Sequence, residues 1–178
     1  MKRVAVFIDG SNYFYTAKSL GWTIDFEKFR EYCSEYGNIV EAIYYLGTSG
    51  TSQKKYLNRL AYLGYSLVTK PLKSIHDPAG KLVIQKANLD VEIVLDMINM
   101  IDRYDVAILV SGDGDFGRAV QLLKSRGKEV KVVSTKGRAA WELVQIAGIN
   151  YIDLLSIKER IELKEGRDKY GVSKSWQE

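Results

Sequence analysis

Two apolar segments of the chain are each followed at once by acidic residues and then by a helical pattern. The first covers residues 4–8 and leads into Asp9. The second covers residues 107–110 and leads into Asp113 and Asp115. Short apolar runs of this kind are typical of strands that are buried on both faces of a parallel sheet. Two such strands that end in carboxylates predict one acidic pocket at a single edge of the sheet.

The rest of the chain alternates between strand and helix patterns. Strand patterns cover residues 3–8, 39–45, 66–69, 105–110, 129–133 and 150–154, and helix patterns cover residues 12–20, 26–36, 51–64, 88–101, 115–126 and 138–147. Residues 70–87 are irregular apart from a short strand pattern at 81–85. Repeated strand–helix–strand units need crossover connections, so we predict an α/β fold: a three-layer α/β/α sandwich with a mostly parallel central sheet. We predict one domain over residues 1–155 and a charged helix or tail over residues 156–178.

Composition narrows the chemistry that the chain can perform. Its 178 residues include a single cysteine, Cys33, and a single histidine, His76. One cysteine excludes an internal disulfide and a cysteine-rich metal site, and one histidine disfavours histidine-based zinc sites and a Ser-His-Asp triad. Catalysis would therefore have to use carboxylates, hydroxyls, lysines or a bound ion.

Charge and hydropathy patterns bear on location and partners. No apolar run approaches the roughly 20 residues that a membrane span needs, and the apolar stretch near the N-terminus is too short for a secretion signal. We therefore predict a cytoplasmic protein without a membrane partner. The net charge of +4 is compatible with a nucleic-acid partner. The 12 tyrosines could include a homodimer surface, which the sequence does not place.

Acidic residues after strand ends point to a metal ion. Asp9, Asp113 and Asp115 stand where ligands bind in parallel α/β sheets. Two unit charges about 4 Å apart repel each other by roughly 4 kcal/mol at an effective dielectric of 20, which a divalent cation can offset. Hard Mg²⁺ or Mn²⁺ prefers oxygen ligands. Asp90, in the first turn of a predicted helix, is the expected further contributor. Helix or turn capping is the structural alternative for Asp90, Asp113 and Asp115.

The polar neighbours of these acids each have a structural and a functional interpretation. Asn12 suits the N-cap of the first helix and could also position a water or a phosphate. Ser111 could form a turn or bond an aspartate. Asp96 lies roughly 120° around its helix from Asp90, so spacing alone favours a solvated acid there.

Several further side chains could contact a polyanionic substrate. Lys136 and Arg138 follow another strand end, and surface solvation and substrate binding are both open for them. Lys86 precedes the predicted helix that carries Asp90. Tyr13, in the first predicted helix, is a candidate to stack on a base, with core packing as the alternative.

Three segments together resemble the NYN domain in its LabA-like branch, a relative of the PIN-domain nucleases. They are Phe-Ile-Asp-Gly-Ser-Asn at residues 7–12, Lys-Ala-Asn-Leu-Asp-Val at 86–91 with Asp96, and Leu-Val-Ser-Gly-Asp-Gly-Asp-Phe at 109–116. Their order and spacing agree with the family from about residue 3 to 154. The middle segment has one residue more between its lysine and its aspartate than the family usually has.

The resemblance implies a PIN-like, Rossmann-like fold and a ribonuclease that depends on Mg²⁺ or Mn²⁺. It implies a catalytic metal cluster of four aspartates, with three supporting residues: Asp9, Asp90, Asp113 and Asp115, supported by Asn12, Ser111 and Asp96. Cellular RNA, single-stranded or structured, would be the substrate, and in-line attack by water would leave 5′-phosphate ends.

Two other kinds of protein remain open at this point. The chain could be a catalytically silent NYN module that binds RNA or protein, in which case binding would survive chelation of metal ions. It could also be another acid-cluster enzyme, such as an aspartyl phosphatase or a Toprim-type nuclease. An aspartyl phosphatase would usually have Asp-x-Asp after its first strand, and the Asp-Gly-Ser of residues 9–11 counts against it.

Overall fold

The computed structural model describes residues 1–49, 53–76 and 82–164, and for residues 74–76 and 82–86 it describes the backbone alone. Its strands are β1 (Arg3–Asp9), β2 (Asn38–Thr48), β3 (Ser66–Pro71), β4 (Lys73–His76), β5 (Leu82–Lys86), β6 (Val106–Val110), β7 (Glu129–Ser134) and β8 (Tyr151–Asp153). Six of them form one parallel sheet in the order β3-β2-β1-β6-β7-β8, and β4 and β5 pair as an antiparallel hairpin.

Helices cover both faces of the sheet. On one face lie α1 (Gly10–Leu20), α2 (Phe26–Ser34), α3 (Lys54–Tyr62) and α7 (Lys158–Ile161); on the other lie α4 (Asp90–Asn99), α5 (Gly117–Ser125) and α6 (Trp141–Ala147). Alternate residues of β1 enter two separate buried clusters, with Val4, Val6 and Ile8 in one and Ala5 and Phe7 in the other. The predicted α/β/α sandwich is confirmed.

The central pair of strands, β1 and β6, places the acidic loops. Residues 4–8 pair in parallel with residues 106–110, and both strands are apolar along this length because a helical layer covers each face. Since the strands run in the same direction, the residues that follow them, Asp9 and Ser111, come to the same edge of the sheet.

Several predicted boundaries differ from the structure. The predicted strand at 81–85 is found as β5, but its partner β4 was predicted as irregular. Asp25 caps α2, since its side chain accepts hydrogen bonds from the N–H groups of Glu27 and Lys28. The predicted helix start at 51 or 52 lies outside the described residues. Residues 136–140 were assigned partly to a helix, but the structure has a turn there, with Gly137 at a φ of +83°.

The segment after β8 packs on the first helical layer. Ile157 and Ile161 are buried in the same cluster as α1 and α2. The Asp25 N–H donates to the Ile161 carbonyl at 2.7 Å, and the Leu163 N–H donates to the Thr23 carbonyl at 3.0 Å. The division of the chain at residue 155 stays a prediction, and residues 165–178 lie outside the described part. No helix within the described residues has the length and apolar character needed to cross a bilayer.

An ion pair lies at the opposite edge of the sheet, where β1 begins. The Arg3 guanidinium donates to both carboxylate oxygens of Asp105, at 2.8 and 3.2 Å, and the Arg3 N–H donates to the same carboxylate at 2.8 Å. These bonds hold the pKa of Asp105 well below its ordinary value. The pair joins the start of β1 to the residue before β6 and so supports the pairing of these two strands.

We expect Asp105→Asn to lower the free energy of unfolding at neutral pH. We expect this loss of stability to be smaller in acid. The folded-state pKa of Asp105 is lower than the roughly 3.9 of an unfolded chain, so its stabilisation is complete above about pH 5 and falls away as the pH drops toward the folded-state pKa. Urea unfolding at neutral pH and at about pH 3 measures the change. Asp102→Asn, at an exposed residue nearby, is the matched control. A deficit that is equal at both pH values would contradict the expectation.

Candidate metal centre

Three carboxylates meet at the carboxyl edge of the sheet. Asp113 and Asp115 follow β6, and Asp90 is the first residue of α4. One oxygen from each lies within 4.8 Å of the others. Asp90 and Asp113 are partly buried and Asp115 is exposed. The loop after β6 and the start of α4 are thus brought together from positions more than 20 residues apart.

This group has the chemistry and the span of a site for a hard divalent cation. All its donors are carboxylate oxygens, the ligands that Mg²⁺ and Mn²⁺ prefer. Ligands on opposite sides of a Mg²⁺ ion are about 4 Å apart, close to the observed upper limit of 4.8 Å. Without a cation, each pair of charges at that separation would repel by roughly 3 kcal/mol at an effective dielectric of 20. The three residues therefore fit a bound divalent ion.

The turn after β6 fixes the direction of Asp113. The Asp115 N–H donates to Asp113 Oδ1 at 3.0 Å, and the Asp113 N–H donates to Ser111 Oγ at 3.2 Å. Phe116, which closes this 3₁₀ turn, is fully buried among the side chains of the second core cluster. The structural interpretation of Asp113 as a turn-forming residue is thus correct, and its carboxylate meets those of Asp90 and Asp115 as well.

Asp9 lies beside this group as a buried acid with its own partners. Its side chain accepts hydrogen bonds from the Asn12 N–H and from the Ser111 hydroxyl, both at 3.0 Å. Burial raises the pKa of Asp9; the two hydrogen bonds oppose this, and the negative charges of Asp90 and Asp113 raise it further. Asp9 is not one of the three described acids, Asp90, Asp113 and Asp115, that each place an oxygen within 4.8 Å of the others. Its role as a metal ligand stays a prediction.

Asn12 does not cap the first helix, contrary to the structural alternative. The helix begins two residues earlier than predicted, at Gly10, and Asp9 is its N-cap. This frees the Asn12 side chain, whose Oδ1 accepts a hydrogen bond from the Gly112 N–H at 3.0 Å. Asn12 therefore joins the start of α1 to the loop after β6.

Asp96 is bonded to a tyrosine that no sequence pattern indicates. The Tyr45 hydroxyl donates to Asp96 Oδ2 at 2.8 Å. Burial and the neighbouring charge of Asp96 raise the pKa of the Tyr45 phenol. Spacing alone favoured a solvated acid, and this is wrong, because Asp96 is half-buried and bonded. Tyr45 pairs in register with Asp9 on the neighbouring strand, a relation that only the three-dimensional pairing reveals.

The predicted RNA-contacting residues have different positions in the structure. Lys136 and Arg138 are exposed in the turn after β7. Tyr13 is not available to stack on a base, so that prediction is wrong: it is only 8% exposed, its hydroxyl accepts from the Ile24 N–H at 2.8 Å, and its ring packs edge-on against Phe26. The side chain of Lys86 lies outside the described part.

Gly112 is a site residue that the pattern of acidic residues does not indicate. A Cβ at this position would lie 2.6 Å from Ser134 Oγ, 3.0 Å from the Ala139 Cα and 3.2 Å from the Arg138 carbonyl oxygen. The last two are backbone atoms, so a side chain here would force the turn after β7 away from the Asp113 loop. The glycine is needed for the close approach of these two loops.

Comparisons with known proteins agree with this fold. The model of the NYN domain family matches residues 3–155. The low amplitude and bright protein LabA of Synechococcus elongatus is 42% identical over 92% of this chain and 89% of its own length. An uncharacterized protein of Methanocaldococcus jannaschii is 29% identical over 82% of this chain, which spans 52% of that protein. A solved structure of a Vibrio parahaemolyticus protein of unknown function has a TM-score of 0.76 at 25% identity and covers 91% of this chain and 96% of its own.

We expect Mn²⁺ to raise the Tm of the protein and the loss of a cluster carboxylate to reduce this rise. A ligand at about 100 times its Kd stabilises the folded state by about 2.7 kcal/mol. Asp90→Asn and Asp115→Asn remove one ligand each. Asp102→Asn makes the same charge change at an exposed residue before β6 and should leave the rise intact. An equal rise in all four proteins, measured by calorimetry, would rule out the cluster as the binding site.

We expect Gly112→Ala to lower the free energy of unfolding by about 1–3 kcal/mol, the usual range for forcing a methyl group into a packed site. Gly117→Ala is the matched control, because only the flexible Cδ1 of Ile146 lies near its added methyl, at 3.0 Å. Denaturant unfolding of the two variants gives the comparison. A loss no larger for Gly112→Ala than for Gly117→Ala would show that the loops can separate at no cost.

Proposed function

Because the chain belongs to the NYN domain family of PIN-like nucleases, we propose that it hydrolyses RNA phosphodiester bonds with a divalent metal ion. The observation that carries this proposal is the meeting of Asp90, Asp113 and Asp115 within 4.8 Å of one another. Three acids that converge at the ligand-binding edge of a parallel sheet are a cost to folding unless a cation joins them. A cation bound between the three carboxylates would offset their repulsion and would act in catalysis.

In this proposal the three converging carboxylates hold Mg²⁺ or Mn²⁺. A bound ion of this kind neutralises charge on a phosphodiester and lowers the pKa of a bound water. Hydrolysis joins the oxygen of water to phosphorus and breaks the bond to the 3′ oxygen, which leaves with a proton as a 3′-hydroxyl. The downstream product then carries a 5′-phosphate.

Asp9, Asn12 and Ser111 have supporting roles. Asp9 accepts from the Ser111 hydroxyl, and Asn12 accepts from the Gly112 N–H. These two bonds fix the loop that carries Asp113 against the end of β1. The negative charge of Asp9 also adds to the electrostatic attraction for a cation at the cluster. Asp96, held by Tyr45, would support α4 and thereby Asp90.

Lys136 and Arg138 supply the positive charge for the RNA backbone. Both are exposed in the turn after β7, which packs against Gly112 beside the acidic loop. Each cation that neutralises a phosphate of a single strand steepens the dependence of binding on salt, with a slope change of about 0.7. The net charge of +4 favours the approach of a polyanion in the same way.

We expect Mg²⁺- or Mn²⁺-stimulated cleavage of single-stranded RNA, with 5′-phosphate products, and a loss of rate on the order of 100-fold or more in Asp113→Asn. Several kcal/mol of charge stabilisation accompany a catalytic metal ion, and each 1.36 kcal/mol corresponds to a tenfold change in rate. Asp102→Asn, which makes the same charge change away from the cluster, should cleave like the unmodified protein.

Two results would count against the proposal. Undiminished cleavage by Asp113→Asn would place catalysis outside the cluster. Binding of RNA that survives chelation, with no cleavage in either metal ion, would identify a catalytically silent RNA-binding module instead. End-group analysis of the products separates hydrolysis to 5′-phosphates from contaminating ribonucleases that leave 5′-hydroxyls.

A further inference from the structure

Trp141, the first residue of α6, is 70% exposed. Within residues 1–49, 53–73 and 87–164, whose side chains the structure describes, no aromatic ring packs against it. Single exposed apolar side chains are common on protein surfaces. The position of Trp141 distinguishes it from other exposed apolar residues, because its large aromatic face is exposed to solvent beside the acidic loop.

The backbone just before Trp141 is fixed to the loop that carries the carboxylates. The Ala140 N–H donates to the Gly112 carbonyl at 2.8 Å. The Ala140 Cβ lies 3.0 Å from the place where Gly114 would carry a Cβ. Gly112 and Gly114 are the two neighbours of Asp113 in the chain. Trp141 therefore directly follows a residue whose backbone is hydrogen-bonded to the loop of Asp113 and Asp115.

Three exposed cations lie near this anchor point in the chain. Lys136 and Arg138 are exposed in the turn that leads into Trp141, and Arg118 is exposed in the first turn of α5, three residues after Asp115. The nearest acid that follows in the chain is Glu142, also exposed. An accessible aromatic face next to several cations is the combination that binds single-stranded nucleic acid, since every base can stack and every nucleotide carries a phosphate.

We infer that Trp141 is a stacking platform for a nucleobase of single-stranded RNA beside the carboxylate cluster. The inference rests on the proposed function and adds to it a positioning residue and a preference. Stacking on Trp141, with Lys136 and Arg138 on the adjacent phosphates, would hold the strand next to Asp113. Bases in a duplex are already stacked and paired, so this contact favours single-stranded over double-stranded RNA.

The test measures binding of a short fluorescein-labelled oligouridylate by anisotropy. It uses the full chain in Mg²⁺, with Asp113→Asn in every protein so that cleavage does not interfere. Adding Trp141→Ala should weaken binding about 5- to 150-fold, the range for loss of one base–aromatic stack, and Trp141→Phe should restore most of it. Tyr62→Ala is the matched control, because Tyr62 is 82% exposed and lies near the starts of β1 and β2.

A spectroscopic readout separates stacking from a structural effect. Unlabelled oligouridylate should quench tryptophan fluorescence in the parent protein, and Trp141→Phe should abolish this quenching. A duplex oligonucleotide should bind equally well with and without Trp141. For cleavage by proteins that keep Asp113, Trp141→Ala should raise KM and leave kcat unchanged, because the stack contributes equally to ground state and transition state.

The outcomes distinguish this inference from the nuclease proposal. If Trp141→Ala binds RNA as tightly as its parent, or if quenching persists in Trp141→Phe, the stacking role is wrong even when the unmodified protein cleaves RNA. If the unmodified protein cleaves no RNA but Trp141→Ala still weakens binding and quenching is lost, the nuclease proposal is wrong and the stacking role stands. A protein that binds no single-stranded RNA overturns the stacking role outright.

Discussion

The structure depends on the parallel pairing of β1 with β6. Residues 4–8 and 106–110 pair in register at the centre of the sheet, where helices cover both faces. Their shared direction brings segments about 100 residues apart to one edge. There the bond from the Ser111 hydroxyl to Asp9 and the bond from the Gly112 N–H to Asn12 join the two strand ends. This junction fixes the loop that carries Asp113 and Asp115 beside Asp9.

Electrostatic repulsion in the cluster has opposite effects on folding and on binding. Asp90, Asp113 and Asp115 raise the energy of the folded chain when no cation is present, and the same repulsion becomes affinity when a divalent ion binds. Asp9 shows how the fold limits this cost. It is buried, but it accepts two hydrogen bonds, which offset part of the desolvation that burial imposes on a carboxylate.

The sequence predicts features that local chemistry decides. The apolar runs of β1 and β6 need burial on both faces, and the aspartates after them fit caps and tight turns, so the acidic edge could be foreseen. Features set by packing between distant segments could not. The bond between Tyr45 and Asp96 depends on where β2 lies beside β1. The burial of Tyr13 and the exposure of Trp141 depend on which face of each helix meets the sheet.

The most direct test of the account is the position of a Mn²⁺ ion in crystals of the protein, located by anomalous X-ray scattering. We predict a peak at the carboxyl edge of the sheet, about 2 Å from one oxygen each of Asp90, Asp113 and Asp115. A crystal soaked in Mn²⁺ in which these three carboxylates point apart, with no peak between them, would contradict the account.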